Sequence, residues 1–418
     1  MVVLVGLEPE DEAATIFLRL RAAVGAGQTR VITLAPLSSL GSTKLAAEVI
    51  KVRPGEEAAA LAALDLPAGS IVLAGERLAL SPGALTAVTS LVGVRWAWVP
   101  RRAGDRGAVE AGLLPGPGGR DTDAILAAAR EGRLGALVIG GVCLDDLADP
   151  AAARAAVAAA PFVVSLEQRL SEVAELADVV LPVAAVAEKS GTFVTWEGRE
   201  RPFGPALDSH ALSDARVLAG LAAELTSRSV GRAAPEPLAG MGERNPSQAV
   251  AHPARIPAST PASTPADTPG SAGRFALATW KLHLDNGVMQ RGDADLAATA
   301  RPAVVRLSAA TALAHDVRPG DRITVTGDRG AVTLPVEIAD LDDDVVWVPA
   351  NSFGRGVLAD LASPGSSVGL TGVVGGERGP DQPQDQAQDQ ASEPVEPRDL
   401  ASAPDQAAAQ IQQEKERP

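Results

Sequence analysis

The sequence predicts two folded regions, a doubly wound, mostly parallel α/β domain and then a smaller domain of β type. Three observations carry this. Short unbroken Val/Ile/Leu runs alternate with helix-length segments through the first 226 residues. Such runs mark strands buried on both faces, and the interleaved helices supply the crossovers. Further along, Val332, Leu334, Val336 and Ile338 alternate with Thr333, Pro335 and Glu337, the pattern of a half-buried antiparallel strand. Between the two regions the composition turns to Pro, Ala, Ser and Thr, which cannot bury enough apolar surface to offset the entropy of ordering.

In chain order, residues 1–6 (MVVLVG) read as the first strand and 8–24 as one helix. Further strands are expected at 31–35, 71–74, 96–100, 136–140, 162–166 and 178–184, with helices at 121–131 and 150–160 among the segments between them. Ligands in folds of this type sit beyond the C-terminal ends of the strands. The loops holding Gly6 with Pro9, Gly75, and Gly140-Gly141 are therefore the places to look. None spells a G-x-G-x-x-G or Walker fingerprint, and ordinary turn chemistry accounts for them.

The domain limits follow the composition: an α/β domain over 1–226, a flexible linker over 227–272, a β domain over 273–374 and a tail over 375–418. Within the β domain, strands are expected at 323–326, 331–338 and 345–349, with turns at Pro319-Gly320-Asp321 and Asp328-Arg329-Gly330. Ser308 is placed to cap a short helix running to Ala314. The tail holds ten acidic and four basic residues and few core formers, so disorder is expected there.

Composition excludes several classes. A net charge of −15 over 418 residues argues against nucleic acid as a partner, since phosphate binding needs clustered Lys and Arg. The single cysteine, Cys143, allows no internal disulfide and suits a reducing compartment. One Cys and four scattered His cannot assemble an iron–sulfur cluster, nor do they have zinc-site spacing, so no metal site is expected. Cys143 is expected to be a small buried residue, because Asp145 and Asp146 beside it oppose a reactive thiolate. No apolar run approaches the ~20 residues of a spanning helix, and a soluble, cytoplasmic chain is expected.

The most specific stretch is residues 177–199, ADVVLPVAAVAEKSGTFVTWEGR. A strand-like run leads to Glu188, then to Gly191-Thr192-Phe193, then to Glu197-Gly198-Arg199, with the two glycines permitting tight turns and an acid–guanidinium pair flanking the second. This stretch resembles a segment of the molybdopterin oxidoreductase superfamily, in particular of the large iron–sulfur subunit, the G subunit, of bacterial NADH-quinone oxidoreductase. Residues 106–117, RGAVEAGLLPGP, are similar to another segment of that subunit. Residues 306–338 resemble the C-terminal dinucleotide-binding domain of the molybdopterin enzymes, which implies that the β domain is a double-psi β-barrel.

The resemblance also carries departures. Where the molybdopterin enzymes tend to have Leu-x-Thr-Gly-Arg near the cofactor, this chain has Leu277-Ala278-Thr279-Trp280-Lys281. Trp280 would fill the room that glycine leaves, and lysine lacks the bidentate fork of arginine. Thr279, Lys281 and Asn351 are the family positions left as candidate cofactor-binding residues; a turn-capping role accounts for Asn351 equally well. Thr195 stands where the large iron–sulfur subunit often has Asn. Glu188, Gly191, Glu197, Gly198 and Arg199 are expected to hold a loop, with no catalytic residue in this chain.

In the family the iron–sulfur domains lie N-terminal to the matched region, so the resemblance implies the C-terminal part of such a large iron–sulfur subunit, as a fragment or a split-gene product. It implies a scaffold role, with that iron–sulfur half and other peripheral-arm subunits as partners and a place on the cytoplasmic side of the membrane. A chain opening in a strand is expected to expose an edge or face for that half. The alternatives are the cofactor-binding part of a molybdopterin-dependent oxidoreductase, or an unrelated small-molecule-binding α/β protein.

Overall fold

The strand Val2–Val5 (β1) is the middle of a five-stranded parallel sheet, and all four of its residues are buried. The computed structural model describes residues 1–102, 104–116, 118–226, 274–352, 355–356 and 360–374. The expected linker and tail lie outside these residues. Val31–Ala35 (β2), Glu48–Lys51 (β3), Ile71–Gly75 (β4) and Arg95–Val99 (β5) complete the sheet in the order β3-β2-β1-β4-β5. Apolar clusters line both faces, one around Val3, Val5, Val72 and Leu78, the other around Leu4, Phe17, Leu20 and Leu45. This is what continuous apolar runs in β1, β2 and β4 demand.

Three sequence expectations need correction here. The first strand does not present an open edge, because β1 is hydrogen-bonded to β2 on one side and β4 on the other. The helix expected over 8–24 is two helices, Pro9–Glu12 and Ala14–Gly25, broken at Ala13 with φ −151 and ψ 61. The break lets the acidic first turn face inward, as described below. Strand β3 has no counterpart among the expected strands, since its sequence EVIK is polar at both ends.

The remaining parallel strands form a second sheet, Leu137–Gly140 (β6), Val163–Glu167 (β7) and Val179–Pro182 (β8), in the order β6-β7-β8. The helices Thr122–Arg130 and Pro150–Ala159 are each opened by an aspartate cap, Asp121 on the Ala124 N–H and Asp149 on the Ala152 N–H. They belong to the cluster of Ala129, Ala153, Ala156, Val157, Leu137 and Val163 on one face of this sheet. Only β7 is buried as its apolar run suggests; β6 and β8 are half-exposed edges. Cys143 is half-buried rather than buried, at the start of the turn Leu144–Asp146.

After β8 the chain makes an antiparallel hairpin, Gly191–Val194 (β9) with Glu200–Phe203 (β10), where Phe193 and Phe203 stack at 4.9 Å. The second region is a closed six-stranded barrel, the architecture the double-psi reading requires. Its strands are Arg274–Ala278 (β11), Val305–Leu307 (β12), Arg322–Thr326 (β13), Ala331–Ile338 (β14), Val345–Trp347 (β15) and Ser367–Val374. With the short pair Asn351–Ser352 (β16) and Arg355–Gly356 (β17) counted, the last is β18, and the barrel order is β11-β15-β12-β14-β13-β18. Leu277, Leu307, Ile323, Val325, Val346 and Val368 fill its interior. Ser308 caps the helix Ala309–Ala314 through the Thr311 N–H, as expected. The sheets and the barrel belong to one compact unit.

Candidate functional site at the junction of sheet and barrel

In a sheet ordered β3-β2-β1-β4-β5, the order in which strands are added reverses between the parallel neighbours β1 and β4, and the crevice outside those two strand ends is where such folds take ligands. Here the loops that leave the two strands approach each other closely. Gly75 at the end of β4 lies against the Gly6 carbonyl so closely that a Cβ would collide with it, and a Cβ on Gly6 would lie 2.8 Å from the Leu78 backbone nitrogen.

Above this contact stands the acidic turn 8–12. Asp11 is nine-tenths buried and its carboxylate collects three donors from the barrel side: the Trp280 indole N–H at 3.1 Å, the His283 backbone N–H at 3.2 Å, and the Arg301 guanidinium. Glu12 accepts two bonds from Arg77, at 2.9 and 3.0 Å, and a third from the Glu8 backbone N–H at 2.6 Å. Arg77 lies 5.6 Å over the Trp280 ring, which itself packs against Trp347 at 4.7 Å. Leu37, Leu282 and Leu341 join these rings in an apolar cluster.

Glu8 is the exception in this network. It is 4% exposed, and its Oε1 has no hydrogen-bond partner among the described residues. Burial is the main reason its carboxyl is pushed up to about 7; Asp11 and Glu12 add to this, while Ser39 and Arg77 act the other way. Burial likewise raises Asp285, against the Gly287 N–H and Lys281, which hold it down. With Asp11 and Glu12 held by several donors and Glu8 enclosed, these side chains join the first sheet to the barrel region.

The family positions fall beside this cluster. Thr279 is buried, and its hydroxyl lacks a hydrogen-bond partner among the described residues. Trp280 is 2% exposed. Lys281 is paired with Asp146 at 2.9 Å, which ties the barrel to the second sheet. Asn351 is brought next to them, because the Ala350 N–H before it bonds the Trp280 carbonyl at 3.0 Å. Among the described residues no group of three or more His, Cys, Asp or Glu is placed to hold a metal ion.

The loop residues lie elsewhere, on the hairpin and on the turn Val186–Glu188 that precedes it. Glu188 accepts the Ala185 N–H at 2.8 Å. Gly191 opens β9 opposite Phe203. Glu197 lies 3.3 Å from Arg199 and 3.6 Å from Arg19 of the first-sheet helix. Gly198 turns the hairpin at φ +85, and the Arg199 N–H bonds the Thr195 hydroxyl at 3.1 Å. Trp196 packs on the core of the first sheet, and Arg106 reaches its carbonyl at 3.4 Å. The hairpin is thus a clasp across the first sheet. The sequence reading missed Glu8, Asp11, Glu12, Arg77 and Arg301; the acidic run directly after an apolar strand was the available signal.

The comparisons agree with this architecture. The family model Molybdopterin oxidoreductase matches residues 1–213, and Molydopterin dinucleotide binding domain matches 279–368. The chain is 43% identical to the G subunit of NADH-quinone oxidoreductase from Mycobacterium tuberculosis, covering 86% of this chain and 50% of the relative. It is 41% identical to the corresponding protein of Streptomyces coelicolor, covering 88% and 49%. The chain therefore spans about half the length of the curated relatives it matches. Acetylene hydratase from Pelobacter acetylenicus shares the fold, with a TM-score of 0.58 at 12% identity over 88% of this chain and 77% of that one. No helix among the described residues is long and apolar enough to cross a membrane. With more than half its length matched by one family model and the barrel by a second, the chain belongs to the molybdopterin oxidoreductase family.

Proposed function

We propose that the chain is a non-redox scaffold part of the large iron–sulfur subunit in the peripheral arm of a respiratory NADH-quinone oxidoreductase, supporting electron transfer from NADH to quinone through clusters held elsewhere. The observation that carries this is Trp280. It takes the position where the family has glycine, is buried, and is bonded to Asp11, so the room beside the barrel strand is filled by an indole. Lys281 is already engaged by Asp146. These residues do not fit a pterin, and the chain is proposed to hold no cofactor of its own. Similarity to the G subunits of two organisms supports the rest: the iron–sulfur half and other peripheral-arm subunits as partners, on the cytoplasmic side of the membrane.

A second reading, the cofactor-binding part of a molybdopterin-dependent oxidoreductase, draws on the family match and on the unpartnered Thr279 hydroxyl. Elemental analysis of the purified chain separates the two. The scaffold reading expects iron and molybdenum far below one atom per chain and no NADH oxidation. Near-stoichiometric molybdenum would establish the second reading instead, and near-stoichiometric iron would defeat the absence of a cluster.

A further inference from the structure

The two parallel sheets have four edges, β3, β5, β6 and β8. Unprotected edges invite pairing, and proteins blunt them with charge, proline or cover. Three of the four are blunted. β3 carries Glu48 and Lys51, and Lys51 is paired with Asp340 of the barrel. β5 begins with Arg95, and β8 ends in Pro182. β6, with the sequence LVIG, has neither charge nor proline.

Among the described residues its backbone is open as well. The Leu137 N–H bonds the Phe162 carbonyl and the Gly141 N–H bonds the Leu166 carbonyl, so the odd-numbered residues face β7. By alternation, the N–H and C=O groups of Val138 and Gly140 point away from the sheet. The side chains on one face tell the same story. Val138, Val164 and Val179 form a row across the three strands, with Val138 55% exposed and Val179 37% exposed. Phe162, two residues before Val164, is 43% exposed. The opposite face carries most of the helices; on this one Val217, of the helix Asp214–Thr226, packs on a small cluster of Val164, Leu166 and Val183. Purely parallel sheets are found covered on both faces, and among the described residues the β6 end of this face, at Val138 and Phe162, stays exposed.

We infer that β6 is a docking edge for an added β-strand, and that the occupant is an apolar strand from the half of the iron–sulfur polypeptide that this chain does not span. The inference rests on the function proposed above for the partner, while the choice of edge rests on the strand itself. The relatives are about twice as long as the stretch matched here, so half a polypeptide is available to supply that strand. Main-chain bonds to Val138 and Gly140 would hold it, and its apolar side chains would cover Val138 and Phe162.

The test co-expresses the full chain with the non-overlapping half of the Mycobacterium tuberculosis relative, followed by size-exclusion chromatography and hydrogen exchange. The expected result is co-elution, with exchange at the Val138 and Gly140 amides slowed about tenfold or more. Val138→Lys should abolish co-elution with its thermal melt unchanged, whereas Trp96→Lys on β5 should leave the complex intact. Should Val138→Lys fail to fold, exchange in the unmodified chain still decides. Co-elution without protection at β6, or loss through Trp96→Lys alone, overturns the edge assignment and leaves the partner reading standing. No co-elution removes the partner reading and this inference together. Protection that grows with concentration of the chain alone makes a second copy the occupant, which also overturns it.

Discussion

The indole N–H of Trp280 donates to the carboxylate of Asp11 at 3.1 Å, joining residues 269 positions apart. One atom pair thus locks the loop after the first strand to the strand end of the barrel. The same carboxylate accepts the His283 amide and the Arg301 guanidinium. Asp11→Ala would leave three donors without their acceptor, one of them charged. The expected cost is on the order of 3 kcal/mol, seen as a lower thermal midpoint with the fold retained. A melt within error of wild type would show that the junction is held by apolar packing alone.

Glu8 gives the chain a pH dependence of known sign. Its carboxyl titrates at about 7 in the folded chain against 4.5 when unperturbed, so the folded state holds the proton more tightly. Stability from this group is fully present below about 4.5, is lost as pH rises toward 7, and stays lost above that. Glu8→Gln removes the ionisation and should flatten that part of the profile. At pH 8 the variant should be more stable by up to roughly 3 kcal/mol, and the gap should shrink to under about 1 kcal/mol at pH 5 and close below about pH 4. Parallel denaturation profiles for the two proteins would refute the assignment.

Legibility in the sequence follows the physics of each element. β1, β2 and β4 were readable because strands buried on both faces must be apolar throughout. The barrel strand Ala331–Ile338 was located by its alternation, although its burial does not alternate: Thr333 and Pro335 are half-buried like Val332 and Leu334, and Ile338 is exposed. β3 was missed because its ends are polar, and the break at Ala13 was missed because apolar periodicity runs past it. Asp11 and Glu12 turn inward for partners far away in sequence, and no local pattern encodes Trp280 or Arg77 as those partners. Trp280 itself was visible, as a departure from a glycine position. The importance of Asp11 was not.

Glu197 and Arg199 are among the residues expected to hold their loop, and a buried pair would hold it most firmly. Arg199 is instead 64% exposed, and the pair is screened by solvent. Arg199→Ala should change stability by less than about 0.5 kcal/mol. Gly198 between them is the stronger constraint, since at φ +85 any side chain is strained, and Arg106 lies 3.3 Å from the Cβ position. Gly198→Ala should therefore cost on the order of 1–2 kcal/mol. Chemical denaturation of both variants checks the order; a larger effect at Arg199 would reverse the account of the clasp.

Gly75 tests whether the loops that leave β1 and β4 must stay in close approach. Its neighbour across the gap is the Gly6 carbonyl, a group that cannot rotate away as a flexible side chain could. Relieving the clash in Gly75→Ala would require the loops after β1 and β4 to part, disturbing Leu78 in the core and the Glu12–Arg77 pair beyond it. Overpacking against rigid backbone is expected to cost on the order of 3 kcal/mol. Parting the loops should also speed hydrogen exchange at the Leu78 and Glu12 amides ahead of the rest of the sheet. A Gly75→Ala variant with unchanged stability and exchange would mean that the loops have room to part, and their close approach would not constrain this junction.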